Sequence, residues 1–292
     1  MDKLVENSHL YRSEIISYVY RLTGSMEEAK DITQETILRY ISSKQSDIKN
    51  TKAWMFKVAT NLSLDFFRSS KQKREVYIGP WLPEPYIQEQ STIEDDMQLD
   101  ESLSVALLVL MEKLSSRERV AYILHDLFEF KHKEIATILE TSSQNSRQLN
   151  SRANKKLQNK KNRFTPSKEE HIKLTNSFIK ALKVGDFEGL KDIFKADVAL
   201  YSDGGGKAIA ARKVLYGNDE YISKFLVKVT KPLFEQNLEN VELKTVWFNG
   251  SLGVILIYKG KVITSYSFEI KQNQIVNIFT LRNPDKLKFF DS

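Results

Sequence analysis

The spacing of apolar residues changes once along the chain, and that change restricts the fold more than any other feature. Up to residue 162 most apolar side chains recur at helical spacing, three to four residues apart. Beyond residue 240, β-branched and aromatic residues alternate in four runs: VELKTVWFNG, SLGVILIYKG, KVITSYSFEI and QIVNIFTLR. These runs predict consecutive antiparallel strands with turns at Asn249-Gly250, at Lys259-Gly260 and from Lys271 to Asn273. The sequence predicts all-α segments followed by an α+β domain whose helices cover one face of a curved sheet.

Prolines and charge runs divide the chain. Pro80, Pro83 and Pro85 precede the acidic run IEDDMQLDES, and Pro166 marks a second break. We therefore predict three domains at residues 1–75, 103–163 and 168–292, with a linker at 76–102 that carries the segment WLPEP.

Composition excludes several classes of protein. A hydrophobic content of 41% excludes a disordered chain, and the absence of cysteine excludes disulfides and thiolate metal clusters. No apolar run approaches the roughly 20 residues of a membrane span, and the first residues lack the pattern of a signal peptide. We expect a cytoplasmic protein with no metal and no cofactor.

Basic residues cluster in two places. One cluster lies around Arg68, and the other lies between Thr141 and Lys168, where no acidic residue occurs. Two basic patches separated by an acidic linker predict a polyanion bound at two points, although two solvated helix ends are the alternative.

The second and third helices carry candidate binding residues. On the second helix, Leu38 lies among polar side chains opposite the apolar face, and this set indicates either a docking patch or a solvated face: Asp31, Gln34, Glu35 and Leu38. The third helix interleaves aromatic residues with cations, as single-stranded nucleic acid requires, although most of its aromatic side chains also suit a core: Lys52, Trp54, Lys57 and Arg68.

The clearest local pattern is a helix-turn-helix. The helix KHKEIATILE, a tight turn at Glu140-Thr141 and a basic helix from Ser142 follow one another. In the last helix, Leu149, Ala153 and Leu157 are spaced to pack inward. Five polar side chains then face outward, as contacts to base edges and phosphates require: Arg147, Gln148, Ser151, Arg152 and Lys155.

These segments together resemble a known family. DITQETILRY, AWMFKVATNLSLDFFR, LSSRERVAYILHDLFEFKHKEIATIL and SSQNSRQLNSRANKKL are similar, in order and spacing, to regions 2 and 4 of extracytoplasmic-function (ECF) sigma factors, the promoter-recognition subunits of bacterial RNA polymerase. Two departures stand out: Glu140 occupies a turn position where many members carry glycine, and the stretch from Phe128 to Phe130 replaces the usual glycine before the EIA helix.

The resemblance implies a role for each surface. The Asp31 to Leu38 face would dock on the β′ clamp helices of the polymerase, with the β flap as a further partner. The loop SSKQSDIKN and the third helix, now including Asn61, would capture the melted minus-10 strand. The helix from Ser142 would read the minus-35 element, and the whole chain would initiate transcription without enzymatic activity of its own.

The C-terminal third resembles the SnoaL-like branch of the cone-shaped α+β fold. Three motifs match one group of ECF factors with such an extension, in which the extension is thought to regulate the sigma core in place of a separate anti-sigma protein. They are WLPEP (Trp81, Leu82, Pro83, Glu84, Pro85), DGGGK (Asp203, Gly204, Gly205, Gly206, Lys207) and NPDKL, from which we select Asn283, Pro284 and Asp285.

Simple physics makes contact among the three motifs plausible. Prolines hold WLPEP extended and Trp81 offers a large apolar anchor, while Gly204 to Gly206 allow close backbone approach. We expect Lys207 to meet Glu84. Alternatives remain: a domain that senses a small ligand, or an enzyme of the cyclase or isomerase kind, in which Asp203 or Tyr201 would act as the base because His171 lies near the start of the domain.

Overall fold

The computed structural model describes residues 2–44, 48–75, 77–87, 100–158, 166–217, 219–236 and 240–290. The acidic run after WLPEP and three residues of the loop SSKQSDIKN lie outside the described residues. The chain divides into two compact units, Met1–Val76 with Leu110–Asn162, and Tyr77–Val109 with Arg163–Ser292. The residues between the two halves of the first unit thus belong to the second.

The first unit begins with three helices, α1 (Asp2–Thr23), α2 (Met26–Ser42) and α3 (Thr51–Glu75). Gly24 ends α1 with a φ of +68°, and the Ser25 side chain then caps α2 by accepting a hydrogen bond from the Glu28 amide. The three helices share a core that includes Tyr18 and Phe56, both fully buried.

Short helices follow in the second half of this unit. Helix α4 (Val105–Met111) begins in the second unit and ends in the first. It leads to α5 (Ser116–Tyr122), which continues as a π-helical turn over Ile123–Leu127, and then to α6 (His132–Ile138) and α7 (Ser143–Gln158). Glu140, with a φ of +50°, makes the turn between α6 and α7. The helix-turn-helix prediction is confirmed. Glu129 (φ +59°) and Glu140 both hold a left-handed conformation that costs a non-glycine residue some strain.

The second unit is α+β, as predicted. Its helices are α8 (Lys168–Val184), α9 (Phe187–Ile193), α10 (Asp219–Gln236) and α11 (Pro284–Leu287). Its strands are β1 (Phe194–Asp203), β2 (Leu215–Tyr216), β3 (Val241–Phe248), β4 (Ser251–Tyr258), β5 (Lys261–Lys271) and β6 (Gln274–Leu281).

These six strands form one sheet in the order β2-β1-β6-β5-β4-β3. Strands β3 to β6 make the predicted antiparallel meander, with left-handed residues at each of the three predicted turns. Strand β1 instead runs parallel to β6, which places Asp203 beside Leu281. The C-terminal ends of β1 and β6 therefore lie next to each other.

Each face of the sheet has its own apolar cluster. Helices α8, α9 and α10 pack on one face around Phe178, Leu190 and Ile222. On the other face, Leu82 and Val105 from the segment before the domain pack with side chains of the last strand and α11, Phe279, Leu281 and Leu287. The segment 77–109 thus supplies two of the five buried residues described in this second core. No helix in the described part of the chain is long and apolar enough to cross a membrane.

Candidate functional site

The exposed face of α2 carries the residues predicted to dock on a partner. Asp31, Gln34 and Leu38 are exposed, and Leu38 keeps 51% of its surface in solvent. Glu35 is half-buried and forms an ion pair with Arg39, with 2.7 Å between Oε1 and Nε. The opposite face of the helix is buried through Ala29, Ile32, Thr33, Thr36 and Tyr40.

An acidic groove between α2 and α3 adjoins this face. Its volume is about 510 Å³. Four carboxylates line it, together with Ile32, Leu62, Phe66 and Ser69: Glu28, Asp31, Glu35 and Asp65. The groove residues on α3 lie at positions 62, 65, 66 and 69, a spacing that places them on one face of a helix. The sequence therefore contained a signal for this shared face. Such a groove suits a basic segment with apolar side chains.

The residues predicted to bind the melted strand differ in accessibility. Asn61 and Arg68 are exposed, and Arg68 pairs with Asp65 at 2.7 Å. Trp54 is half-buried and packs against Tyr40, with 5.9 Å between ring centroids. Its indole therefore serves the packing of α2 on α3 as well as any base stacking.

The two lysines of α3 that were predicted to bind DNA, Lys52 and Lys57, contact neighbouring side chains of the first unit. Lys57 forms an ion pair with Glu140 in the helix-turn-helix, with 3.0 Å between Nζ and Oε1. Lys52 pairs with Glu14 at 2.7 Å and lies 5.9 Å above the Phe130 ring. Beside them, Phe56 of α3 packs edge-on against Phe128 and at a tilt against Phe130. The N-terminal half of α3 therefore packs against the helix-turn-helix and the residues just before it.

All of the residues predicted to read DNA on α7 are exposed. They are Arg147, Gln148, Ser151, Arg152 and Lys155. The other side of the helix is anchored by buried Leu149, Ala153 and Leu157, and by a hydrogen bond between Ser146 Oγ and His132 Nδ1 at 3.1 Å. The helix therefore presents a rigidly backed row of donors and cations.

The segment WLPEP lies against the C-terminal domain within the second unit. Leu82 is its buried anchor, 1% exposed, and Pro83 and Pro85 are buried beside it. Trp81, the predicted anchor, is only half-buried, and its ring lies 4.6 Å from the ammonium of Lys286. Trp81 thus makes a cation–π contact instead of filling an apolar pocket.

A buried carboxylate, Asp203, organises this docking. Its side chain accepts a hydrogen bond from the Leu82 amide at 2.9 Å and another from the Tyr77 hydroxyl at 2.6 Å. Lys286 Nζ lies 2.8 Å from the same carboxylate and donates to the Leu82 carbonyl at 2.6 Å. Burial of the Tyr77 hydroxyl is the main cause that raises its pKa, and its hydrogen bond to Asp203 is the second. The phenol therefore stays protonated and acts as a donor.

Motifs DGGGK and NPDKL meet each other beside Asp203. Gly205, with a φ of +58°, lies against the Asn283 side chain so closely that an added Cβ would come within 2.3 Å of the amide nitrogen. The Asn283 amide also donates to the Tyr77 hydroxyl at 3.1 Å, and its backbone N–H donates to the Asp203 carbonyl at 3.0 Å. The last strand of the domain is thereby tied to the segment before WLPEP.

One predicted pair is wrong. Lys207 forms an ion pair with Asp285, at the exposed edge where the two motifs meet, and not with Glu84. The cation that reaches WLPEP is Lys286, which the prediction omitted together with Tyr77. Lys286 belongs to the NPDKL motif, so the sequence contained a signal for its role, whereas Tyr77 lies outside all three motifs.

The linker is held at a second place as well. The backbone N–H of Asn249 donates to the Tyr86 carbonyl at 2.8 Å, and the backbone N–H of Asp100 donates to the Gly250 carbonyl, also at 2.8 Å. Asn249 Nδ2 donates to the Leu103 carbonyl at 3.2 Å. The turn between β3 and β4 therefore binds both ends of the linker that the structure describes.

The residues considered for an enzyme lie away from the domain's internal cavity. That cavity lies between α10 and the sheet and includes Ser202, Thr280 and Arg282 in its lining. Asp203 and Tyr201 instead belong to the opposite, linker-facing side of the sheet. His171 is buried, and its Nε2 donates to the Leu252 carbonyl at 2.8 Å. In the described residues no group of three or more acidic or histidine side chains is placed to hold a metal.

Two family models match the helical parts of the chain. Residues 9–74 match the model of Sigma-70 region 2, and residues 104–157 match that of Sigma-70, region 4. The "ECF RNA polymerase sigma factor SigJ" of Mycobacterium tuberculosis is 30% identical, covering 94% of this chain and 90% of SigJ. The "Probable ECF RNA polymerase sigma factor SigI" of the same species is 28% identical over 65% of this chain and 66% of its own.

A solved structure is similar over nearly the whole chain. The crystal structure of SigJ from Mycobacterium tuberculosis superposes with a TM-score of 0.75 at 27% identity, covering 97% of this chain and 98% of that one. The similarity thus includes the C-terminal domain as well as both helical segments.

Proposed function

The chain belongs to the ECF family of sigma-70 RNA polymerase sigma factors, and from that membership we propose a role for each of its surfaces and a regulatory role for its C-terminal domain. The observation that carries the assignment is that the two sigma-region matches fall on α1–α3 and on α4–α7. We propose domains at 1–75, 103–163 and 168–292. As a sigma factor, the protein would act in the cytoplasm, where RNA polymerase and promoter DNA are found.

The α2 face is the proposed docking site for core polymerase. Asp31 and Glu35 line the acidic groove, while Gln34 and Leu38 are exposed on the same helix. An exposed leucine near carboxylates suits a basic helix with apolar side chains. The β′ clamp helices are the proposed partner here, and the β flap is a second proposed polymerase contact.

The two DNA contacts are assigned to α3 and α7. Asn61 and Arg68 are accessible for the minus-10 strand, whereas Lys52, Trp54 and Lys57 would become available once their present partners move. On α7 the exposed row needs no rearrangement to meet base edges in a minus-35 element.

We further propose that the C-terminal domain regulates the sigma core in cis through the linker, rather than a separate anti-sigma protein doing so. The buried Asp203–Lys286 pair fixes Leu82, and with it the WLPEP segment, which lies in sequence between regions 2 and 4. An enzymatic role receives less support, because Asp203 and Tyr201 are engaged on the linker side of the sheet.

Transcription with reconstituted bacterial core polymerase on a genomic promoter library tests the sigma assignment. We expect promoter-specific transcripts with the full chain and weaker polymerase binding, by about tenfold, for Leu38→Asp. Leu10→Asp is the matched control, because Leu10 is an exposed leucine on α1 (67%). The assignment fails if neither the full-length chain nor variants of its C-terminal domain start transcription from any promoter.

Regulation in cis is tested by Trp81→Ala and Gly205→Ala in the same assay. Both changes loosen the docking of the linker, since one removes the cation–π contact and the other forces Asn283 away. We expect altered promoter activity and faster proteolysis of the linker in both variants. Unchanged activity together with unchanged proteolysis in both would refute the regulatory proposal while leaving the sigma assignment intact.

A further inference from the structure

The first turn of α7 carries a side chain that the sequence prediction did not include, Gln144. The helix begins at Ser143, so Gln144 is its second residue, and it is exposed. At 100° per residue, Gln144 lies about 20° around the helix axis from both Ser151 and Lys155. Ala153, which is fully buried, lies about 180° away. Gln144 therefore occupies the middle of the outward face of α7.

Hydrogen bonds fix the backbone of this first turn. Ser142 Oγ accepts a hydrogen bond from the Asn145 N–H at 3.1 Å, and the Ser142 carbonyl accepts one from the Ser146 N–H at 3.0 Å, which is the arrangement of a helix N-cap. Ser146 is buried, and its hydroxyl forms a hydrogen bond with the His132 ring of α6 at 3.1 Å. The direction in which Gln144 leaves the helix is therefore set before any partner binds.

The carboxamide side chains of α7 differ in whether the protein uses them. Asn145 Nδ2 donates to Thr141 Oγ1 at 2.7 Å. Asn150 is buried, and its side-chain oxygen accepts a hydrogen bond from Asn154 Nδ2 at 3.0 Å. Gln144, by contrast, makes no side-chain hydrogen bond with any residue that the structure describes. Its carbonyl oxygen and its NH₂ group are both available to a partner outside the protein.

The position of this carboxamide on the helix favours base edges over phosphates. Arg147 lies about 60° to one side of Gln144 and Arg152 about 80° to the other, so cations flank it across the outward face. Phosphates attract those flanking charges, whereas a neutral amide gains little from them. Gln144 in the centre is therefore placed to face the floor of a major groove into which α7 is inserted.

The chemistry of a carboxamide selects one base in that groove. Adenine presents the N7 acceptor beside the N6 amino donor, and a glutamine can pair with both at once through its NH₂ group and its oxygen. Guanine offers two acceptors at the same edge, while cytosine offers a donor and thymine an acceptor with a methyl group. Adenine is thus the base whose edge matches Gln144 in both hydrogen bonds.

We propose that Gln144 is a specificity-determining residue that reads one adenine of the minus-35 element through this bidentate pair. The inference rests on the proposed sigma function and deepens it by assigning a base to a residue of α7. Because Gln144 carries no charge, it contributes to the choice of sequence and leaves the salt dependence of DNA binding unchanged.

Selection from a promoter library randomised across the minus-35 element tests the proposal, with holoenzyme reconstituted from the full chain and bacterial core polymerase. We expect adenine at one position with the parent chain, and a preference there that falls by about five- to a hundredfold in Gln144→Ala. Gln144→Glu should prefer cytosine at that position of the same strand, because a carboxylate accepts a hydrogen bond from the cytosine N4 amino group. Asn145→Ala is the matched control, since that carboxamide is engaged with Thr141, and it should retain every base preference.

Replacing the selected adenine by 7-deazaadenine is the second measurement, because it removes the N7 acceptor and needs no protein variant. We expect binding of the parent holoenzyme to weaken several fold and binding of the Gln144→Ala holoenzyme to stay unchanged. Unchanged base preference in both Gln144 variants, or equal losses with 7-deazaadenine in parent and variant, would overturn the assignment of Gln144 and leave the sigma function intact. If the parent holoenzyme selects no minus-35 sequence at all, the proposed promoter recognition fails, and this inference fails with it.

Discussion

Charged side chains serve opposite purposes on α7 and at the site where WLPEP docks. Those on α7 are exposed and backed by a buried apolar row, so that they are available to an external polyanion. Asp203 and Lys286 are buried and satisfy each other together with the backbone of Leu82. The difference teaches that a substitution at the linker site should change stability first, whereas one on α7 should change binding alone.

The largest effect is expected for Lys286→Met, because it leaves the Asp203 carboxylate buried without its cation. The free energy of unfolding should fall by about 3–5 kcal/mol in urea denaturation of the full chain. Lys207→Met is the matched control, since the ion pair of Lys207 is more than half exposed and should contribute under about 1 kcal/mol. Equal losses in the two variants would remove the distinction between buried and exposed charges.

On α7 the expected effects are on DNA binding, at about 1–3 kcal/mol. Arg147→Ala should change which bases are preferred in a minus-35 duplex, whereas Lys155→Ala should weaken all sequences alike and lower the salt slope by about one. Fluorescence anisotropy at several salt concentrations measures both. Unfolding free energies should stay within about 0.5 kcal/mol of the parent chain. Identical binding profiles for the two variants would contradict the assigned roles.

His171 gives a smaller, pH-dependent test of burial. Its burial lowers the pKa of the imidazole below the ordinary value, and the hydrogen bond to Leu252 only partly opposes this. Below about pH 6.5 the unfolded chain therefore binds a proton that the folded chain does not, so stability falls as the pH falls and is unaffected above that range. Urea denaturation of the parent and of His171→Gln from pH 7.5 to 5.5 isolates this contribution. An unchanged difference between the two over that range would contradict it.

The smallest effect is expected at Lys57, whose pair with Glu140 joins α3 to the helix-turn-helix at the surface. Lys57→Gln should lower the unfolding free energy by at most about 1 kcal/mol, because both partners are substantially exposed. It should also weaken binding of a single-stranded minus-10 oligonucleotide, measured by anisotropy. A loss of several kcal/mol would place this pair with the buried charges of the linker site.

Periodicity predicted the elements and the outward face of α7, because both depend on residues close in sequence. Leu149, Ala153 and Leu157 recur on one side, and that spacing alone leaves Arg147 and Lys155 outside. The meander was predictable for the same reason, since each turn carries residues suited to left-handed conformations, such as Asn249 and Gly250.

Contacts between distant residues were harder to predict. The parallel pairing of β1 with β6 brings Asp203 near Lys286, 83 residues away, and docking of the linker brings Tyr77 to it from 126 residues away. No local pattern encodes either contact. Resemblance of the motifs predicted that the three segments meet, but not which residues pair, and Lys207 was expected at Glu84 whereas it pairs with Asp285. Trp81 was expected to be buried on size alone, yet Leu82 occupies the apolar pocket.

The inclusion of residues 77–109 in the second unit has a consequence for any truncated form of this protein. A fragment ending near residue 163 would retain Leu82 and Val105 without the strand residues that bury them, and a fragment starting there would leave Phe279 and Leu281 uncovered. Either cut divides this apolar cluster between two fragments. Both fragments would expose apolar side chains and should aggregate or be degraded. A gene fragment encoding the C-terminal domain would need the linker fused to it to yield a stable product.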